Sequence, residues 1–555
     1  MITKRLSLFY LLFFFILFSS TCVFGGDEKS KLVSADVQAA QKITGLEFTP
    51  SEIDSMLSLL SEQLGSFETM RKMKLANDVP PAFHFNPIPQ GKTFSSEQKP
   101  FKTSDYSRTV MPAHPEDLAY YSIGELAFLV RSKKISSVKL TGFFLDRLKR
   151  FAPQLHCVVT FTDSLAMQQA RQADADLAAG HYHGLLHGIP FGIKDMFATK
   201  NIPTTYGTPP YKDQLINKDA TVVKKLREAG AVLLAKLSLG ELAMDDVWFG
   251  GQTRNPWDTS KGSSGSSAGP AAAVSAGLVP FAIGSETLGS IVSPANRCGV
   301  TGLRPSFGRV SRSGAMALSW TMDKVGPLCR NAEDCSIVFN AIYGVDGKDE
   351  SMVDLPFNYN PEISWKGLKV GYFKKDFEQD TLKKSFNDAA LETLRNAGAQ
   401  LVPLELPKLP LNDMVIILLC EAASAFDDLT LKNLDDAMVQ QNKDNWPNIF
   451  RAAHFIPATE YIRASRLRWL LVQQMDSVMQ QVDVCIAPPF GENLLATNFT
   501  GNPAVVVPNG FMDPKTPTSI VFIGQLFDEG RLIAVAKKYQ ELTGFHLKHP
   551  PGFSH

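Results

Sequence analysis

The chain has 555 residues, of which 44% are hydrophobic and 20% charged, the balance of a globular enzyme with room for a large core. Its 56 basic and 56 acidic residues cancel, so no net field draws it to nucleic acid or to an anionic surface.

The predicted elements begin with a leader. Lys4 and Arg5 precede an apolar run at residues 6–18, and small residues follow at 19–21. That order predicts a signal peptide over residues 1–25 and export, to a periplasm or to the medium. Cutting before Cys22, with lipid attached there, is the alternative form of the same export signal. The run is short for a bilayer span, and no later segment is long and apolar enough, so no stable membrane insertion of the mature protein is expected.

Residues 26–115 predict an N-terminal helical and extended segment. Ile53, Met56, Leu59, Leu60 and Leu64 recur at helical spacing, and Ser51 with Glu52 and Asp54 suits a helix start. The Pro- and Ser-rich stretch from 77 to 107 is expected to run extended across a surface.

From residue 116 helices and strands alternate. "SIGELAFLVRSKKISSVKLTGFFLDRLKRFAP" predicts two helices and "HCVVTF" a strand. "DSLAMQQARQADADLAAG" is a helix and "IPFGIKDMF" a strand or tight turn. "DATVVKKLREAGAVLLAKLS" and "PAAAVSAGLVPFAIGSE" each predict a helix running into a strand. "LKVGYF" and "AQLVPLEL" are strands with a helix between them. Residues 420–480 are mainly helical, and "VDVCIAPP" and "NPAVVVPNGF" return to buried strands. The alternation predicts an α/β domain over 116–545 with a largely buried sheet, then a polar C-terminal tail at 546–555.

Six cysteines beyond Cys22 are scattered at 157, 298, 329, 335, 420 and 485. They form no disulfide scaffold and no metal-ligand spacing, although Cys329 and Cys335 are close enough in sequence to pair or to stay as buried thiols. No metal and no organic cofactor is expected. His181, His183 and His187 fit neither a helix face nor a metal site, and are expected as loop residues.

Three stretches carry chemistry. In "HGIPFGIKDMF", Lys194 is either a surface residue paired with its neighbour Asp195 or a desolvated, neutral base. "GSSGSSAGPAAAV", residues 262–274, is either a flexible linker or a turn that feeds a helix N-terminus. "GSETLGSIVSP", residues 284–294, ends an apolar strand in small residues and offers Ser285, Ser290 and Ser293.

Taken together, these stretches resemble the amidase signature family of Ser–Ser–Lys hydrolases, which cleave amides and sometimes esters. "HGIPFGIKD" is similar to the lysine segment, and the run from "NPWDTSKGSSGSSAG" through "GLRPSFGRVSR" to the signature itself. "MDKVGPLCRNAEDC" and "FTGNPAVVVPNGF" resemble later core segments, so the likeness spans residues 118–530. It implies the amidase signature fold, a large mixed β-sheet core covered by helices on both faces, here with an N-terminal helical extension.

The resemblance also implies roles. Lys194 matches the family's lysine, Ser266 the serine with a cis peptide bond, and Ser290, 24 positions on, the nucleophile. Ser267 matches a supporting serine, and Thr287, Leu288, Gly289 and Ser290 the amides of an oxyanion hole. Ser263 and Ser264 fall too early to match. The chain departs from the usual Gly-Gly pairs at Ser264-Gly265, Ala268-Gly269 and Leu288-Gly289. Val292 and Ser293 stand where many members carry an Arg, and a small dicarboxylate-like substrate loses that partner.

These readings make the chain an exported amidase acting on a linear carboxylic amide, its partner a small-molecule or peptide amide, its state monomer or homodimer. Three alternatives compete. One is the amidase subunit of a tRNA amidotransferase. Another is a catalytically weak relative that serves as a binding protein, which predicts loss of Lys194, Ser266 or Ser290. The third is an esterase of unrelated fold, imitated loosely by "GSSAG" at 265–269. Trp248, Phe249, Tyr206 and Trp320 are candidates for an apolar pocket or for the core.

Overall fold

The computed structural model describes residues 32–73 and 75–553; the expected leader and Cys22 lie outside them. The chain divides into two units, Met1–Leu75 and Ala76–His555.

In the first unit, helix α1 (Ser34–Thr44) ends at Gly45 in the left-handed region. Helix α2 (Pro50–Arg71) starts at Thr49, two residues before the expected Ser51, because Thr49 and Glu52 form a reciprocal capping box. Of the apolar stripe on α2, Ile53 is buried, whereas Leu59 and Leu64 are exposed. Ser34 donates to the Asp54 carboxylate at 2.7 Å and ties the two helices together.

The second unit is built on an 11-stranded mixed sheet with helices on both faces. In chain order its strands are β1 (Val158–Phe161), β2 (Pro190–Lys194), β3 (Val232–Leu237), β4 (Phe281–Glu286), β5 (Thr301–Arg304), β6 (Lys324–Cys329), β7 (Lys369–Phe373), β8 (Gln400–Leu404), β9 (Val484–Ala487), β10 (Ala504–Asp513) and β11 (Thr516–Gly524). Their order in the sheet is β1-β3-β2-β4-β6-β5-β10-β11-β9-β7-β8. Every residue of β2, β3, β4, β5, β6 and β9 is buried. Near-continuous burial on both faces is why the strands read as apolar runs and not as alternating patterns.

β2 pairs parallel with both β3 and β4, and β4 then pairs antiparallel with β6. Parallel neighbours need crossovers, and helix α3 (Thr221–Glu228) and helix α4 (Ala268–Ser275) lie in them. The result matters for the site: Lys194 is the last residue of β2, and Ser285 and Glu286 are the last two of β4. Two parallel neighbours deliver their C-terminal residues to the same end of the sheet's strands.

Three strands were not legible as such, β5, β6 and β11. "KVGPLC" in β6 holds Gly326 and Pro327, residues that argue against a central strand. Residues 76–114 carry no helix or strand and run extended over the body. Phe85 lies under the Arg468 guanidinium at 3.5 Å, and Tyr106 donates to Glu333 at 2.8 Å. The tail from 546 carries one apolar anchor: Phe553 is buried edge-on against Phe151, and its carbonyl accepts from Arg147. The six cysteines from Cys157 to Cys485 are free thiols, Cys329 and Cys335 included.

Candidate active site

Lys194 is fully buried at the end of β2. Its Nζ donates to Ser266 Oγ at 2.8 Å, Ser285 Oγ at 2.9 Å and Ser267 Oγ at 3.3 Å. Burial disfavours the ammonium form and pushes its pKa down to about 7, against the opposing pull of Asp323 and Glu286. The surface reading of this lysine is therefore overturned. Its neighbour Asp195 faces a different lysine, Lys236, at 2.7 Å in the core.

The three hydroxyls around Nζ are not equivalent. A hydroxyl has one proton to give. Ser267 gives its proton to the Ser285 carbonyl at 3.1 Å, and Ser285 gives its own to Met196 Sδ at 2.8 Å. That leaves the Ser266 proton as the one free to move onto a neutral Nζ. The Gly265–Ser266 peptide bond is cis.

Ser267 N–H donates to the Ser290 carbonyl at 3.1 Å, so the loop of Ser266 and the loop of Ser290 are tied side by side. Among the described residues no hydrogen bond is made to the Ser290 hydroxyl, which keeps slight solvent exposure. Ser263 and Ser264 take no part in the cluster. Ser263 donates to the Ser264 carbonyl, and Ser264 pairs with Ser293 at 2.7 Å. Asp246 accepts the Ser264 N–H at 2.8 Å and pins the start of this loop.

Between β4 and the next helix, α5 (Val292–Cys298), the chain makes a tight turn at residues 287–290. Among the described residues, none of the four N–H groups of Thr287, Leu288, Gly289 and Ser290 donates a hydrogen bond. Four unpaired amides in one mostly buried turn are unusual, because buried backbone donors are nearly always paired. The next two amides are paired: Ile291 and Val292 donate to Glu286 Oε2 at 2.8 and 3.0 Å. Glu286 Oε1 accepts from Arg304 at 2.8 Å and from Asn498 at 2.9 Å. Burial pushes the Glu286 carboxyl up, but Arg304 and the amides outweigh it and hold it at about 2. Gly289 has φ 84°, and a Cβ there meets Leu494 at 3.3 Å. The Leu288 side chain is partly buried and packs against the core.

Sequence reasoning missed Asp246 and Asp323, and it offered Ser285 as a candidate without its place beside Lys194. A lone Ser or Asp among many carries no signal until the fold brings it to a lysine or a turn. The histidines are elsewhere: His187 is buried with Nε2 on the Ala173 carbonyl at 2.8 Å. Tyr206 and Trp248 belong to the buried set, and Phe249 is exposed. Trp320 lines a cavity of about 320 Å³ with Met196, Ser285 and Met316. Among the described residues no group of three His, Cys, Asp or Glu side chains is placed to hold a metal ion, and no helix is long and apolar enough to cross a membrane.

The geometry agrees with comparisons to known proteins. A family model described as Amidase matches residues 139–533. A curated relative from Coxiella burnetii, a glutamyl-tRNA(Gln) amidotransferase subunit, is 33% identical over 483 residues, covering 77% of this chain and 99% of its own. Among solved structures, native peptide amidase from Stenotrophomonas maltophilia superposes with a TM-score of 0.72 at 29% identity, over 80% of this chain and all of that one. An amidase family protein from Bacillus anthracis gives 0.70 at 28% identity, over 79% and 93%. With the family match spanning most of the chain and the buried Lys–Ser cluster at the C-terminal ends of two central strands of its mixed sheet, this protein belongs to the amidase signature family of amide hydrolases.

Proposed function

We propose that the protein hydrolyses a linear carboxylic amide through an acyl-enzyme on Ser290, with Ser266 and Lys194 as its proton relay. The observation that carries this is the bond from Lys194 Nζ to Ser266, whose proton alone is uncommitted among the three hydroxyls present. A serine hydroxyl needs a base, and a lysine held near neutrality is one.

In the first step Ser266 passes its proton to Nζ and takes the proton of Ser290. Ser290 Oγ forms a bond to the carbonyl carbon, and the π electrons move onto the carbonyl oxygen. The unpaired amides of residues 287–290 supply donors for that oxyanion, fixed before the reaction starts. Collapse breaks the C–N bond, and the leaving nitrogen takes its proton from Ser266, which Lys194 refills. Water then follows the same path, its proton to the relay and its oxygen to the acyl carbon. Breaking the ester bond returns the proton to Ser290, and the products are an acid and an amine.

The solved peptide amidase, which spans its whole length on this chain, supports peptide amides as the first substrates to try. The apolar Leu288 and Leu494 beside the turn, with Val292 and Ser293 where an Arg would hold a carboxylate, favour an uncharged acyl side. We place the enzyme outside the cytoplasm on its leader, as a secreted, periplasmic or Cys22-anchored protein. Ammonia release from a panel of peptide amides, aryl acylamides and fatty amides tests the substrate class; hydrolysis of none of them overturns it.

A second reading, the amidase subunit of a tRNA amidotransferase, rests on the curated amidotransferase relatives. It predicts glutamine as the amide donor. Glutamine hydrolysis at rates above every peptide amide favours it over the first reading.

A further inference from the structure

Two buried carboxylates hold the turn of unpaired amides, one at each end. Glu286 holds the far end through the amides of Ile291 and Val292. Asp323 holds the near end: Thr287 Oγ1 donates to its Oδ1 at 2.5 Å. Asp323 immediately precedes β6, whose first residue pairs with Glu286 in antiparallel register, and that register puts it beside Thr287.

The surroundings of the two carboxylates differ. Glu286 has a buried counter-ion in Arg304. Asp323 has none among the described residues. Its other oxygen accepts from the N–H groups of Leu318 and Ser319 at 2.8 and 3.0 Å. Lys324, next in sequence, turns its Nζ to the carbonyls of Met322 and Thr287 and not to the carboxylate. Arg312 is committed to Asp349. A buried carboxylate without a cation costs stability unless its hydrogen bonds offset the loss of water. Burial raises the Asp323 pKa, and its three donors pull the other way, toward an ionised form whose charge sits against the turn.

We propose that Asp323 is a positioning residue for acyl transfer, which fixes Thr287 so that the amides of residues 287–290 converge and sets its negative charge to stabilise the ammonium formed on Lys194. This rests on Ser290 as nucleophile and on that turn as the oxyanion site. When Lys194 takes the relay proton, Asp323 and Glu286 are the anions that favour the charged product; Arg312 is the cation that acts on Asp323, while burial disfavours the charge of its neighbour Lys324, which Arg304 and Arg468 also face. Asp323 touches no reacting atom; it acts through Thr287 and Lys194.

The test uses the whole protein and three variants, Asp323→Asn, Asp323→Glu and Thr287→Val. Asp323→Asn removes one negative charge near Lys194, which lowers the lysine pKa. The acid limb of the pH–rate profile then moves to lower pH by about half a unit or more, while kcat drops roughly 10–100-fold with KM within about twofold. Asp323→Glu restores the position of the limb. Thr287→Val, which keeps every backbone amide, lowers kcat without moving the limb. A purely structural Asp323 lowers the melting temperature of Asp323→Asn and leaves the limb in place, and that result overturns the proposal. If Asp323→Asn does not fold, an unchanged kcat in Thr287→Val overturns it alone. Peptide mapping of fluorophosphonate-labelled protein separates the two layers: label off Ser290 defeats the nucleophile assignment, whereas label on Ser290 with an unmoved limb defeats only the role of Asp323.

Discussion

A Cβ placed on Gly265 lies 1.7 Å from the carbonyl oxygen of Asp245. The backbone of residues 240–246 is therefore packed directly on the residue before Ser266. Gly240 packs on the same carbonyls from within that segment, where a Cβ meets those of Met244 and Asp245 at 1.8 and 2.0 Å. Because both partners are backbone, Gly265→Ala displaces the relay loop. The expected result is a loss of about 1–3 kcal/mol of stability, with turnover falling far more than the melt. A variant of wild-type activity shows that the loop yields without moving Ser266.

Serine substitutions separate the roles. Ser290→Ala abolishes labelling by a fluorophosphonate and nearly all amide hydrolysis. Ser266→Ala slows labelling but leaves it on Ser290, since the nucleophile remains and only its proton path is broken. Ser263→Ala changes little, because that hydroxyl is bound to the Ser264 carbonyl. Mass spectrometry of the labelled peptide decides the matter, and label on any other serine refutes the assignment.

The buried lysine sets the pH dependence. In the proposed relay its neutral form is the base, and burial brings its pKa down to about 7, so turnover is expected to fall as the pH drops below that value. Lys194→Ala costs roughly 10²–10⁴-fold in kcat and removes the acid limb. A limb that survives the substitution belongs to another group.

Arg304 and Glu286 are a pair in which neither side chain reaches water. Removing one partner strands the other charge, so Arg304→Met destabilises the protein by about 3–5 kcal/mol in a denaturant titration. Its activity also falls, because Glu286 is the group that holds the amides of Ile291 and Val292. A melt within error of wild type contradicts this account.

If the proposed leader over residues 1–25 is removed, the mature chain starts near Asp27. Intact mass of protein from its native host checks this: retention of Met1 contradicts export, and a lipid-sized increment on Cys22 selects the anchored form.

Legibility in the sequence followed the physics of each element. Long amphipathic helices and the apolar strands β3 and β4 were plain, because burial forces their pattern, whereas the β2 segment read equally as a strand or a tight turn. β5 is only four residues long and β6 carries Gly326 and Pro327, so pairing with neighbours, not local preference, makes them strands. The candidate site residues Lys194, Ser266 and Ser290 emerged from a family resemblance, not from spacing. The roles of Ser285 and Asp323 depend on which strands lie side by side, and no local pattern encodes that.

The turn at residues 287–290 follows directly on a strand hydrogen-bonded on both sides deep in the sheet. Native-state hydrogen exchange therefore finds two extremes within a few residues. The amides of β4 exchange only when the sheet itself comes apart, whereas those of Thr287 to Ser290, bonded to no described group, need no such opening. A ligand that seats an oxygen in the turn slows those few amides and leaves their neighbours unchanged, so exchange at four positions reports occupancy of the site without any turnover.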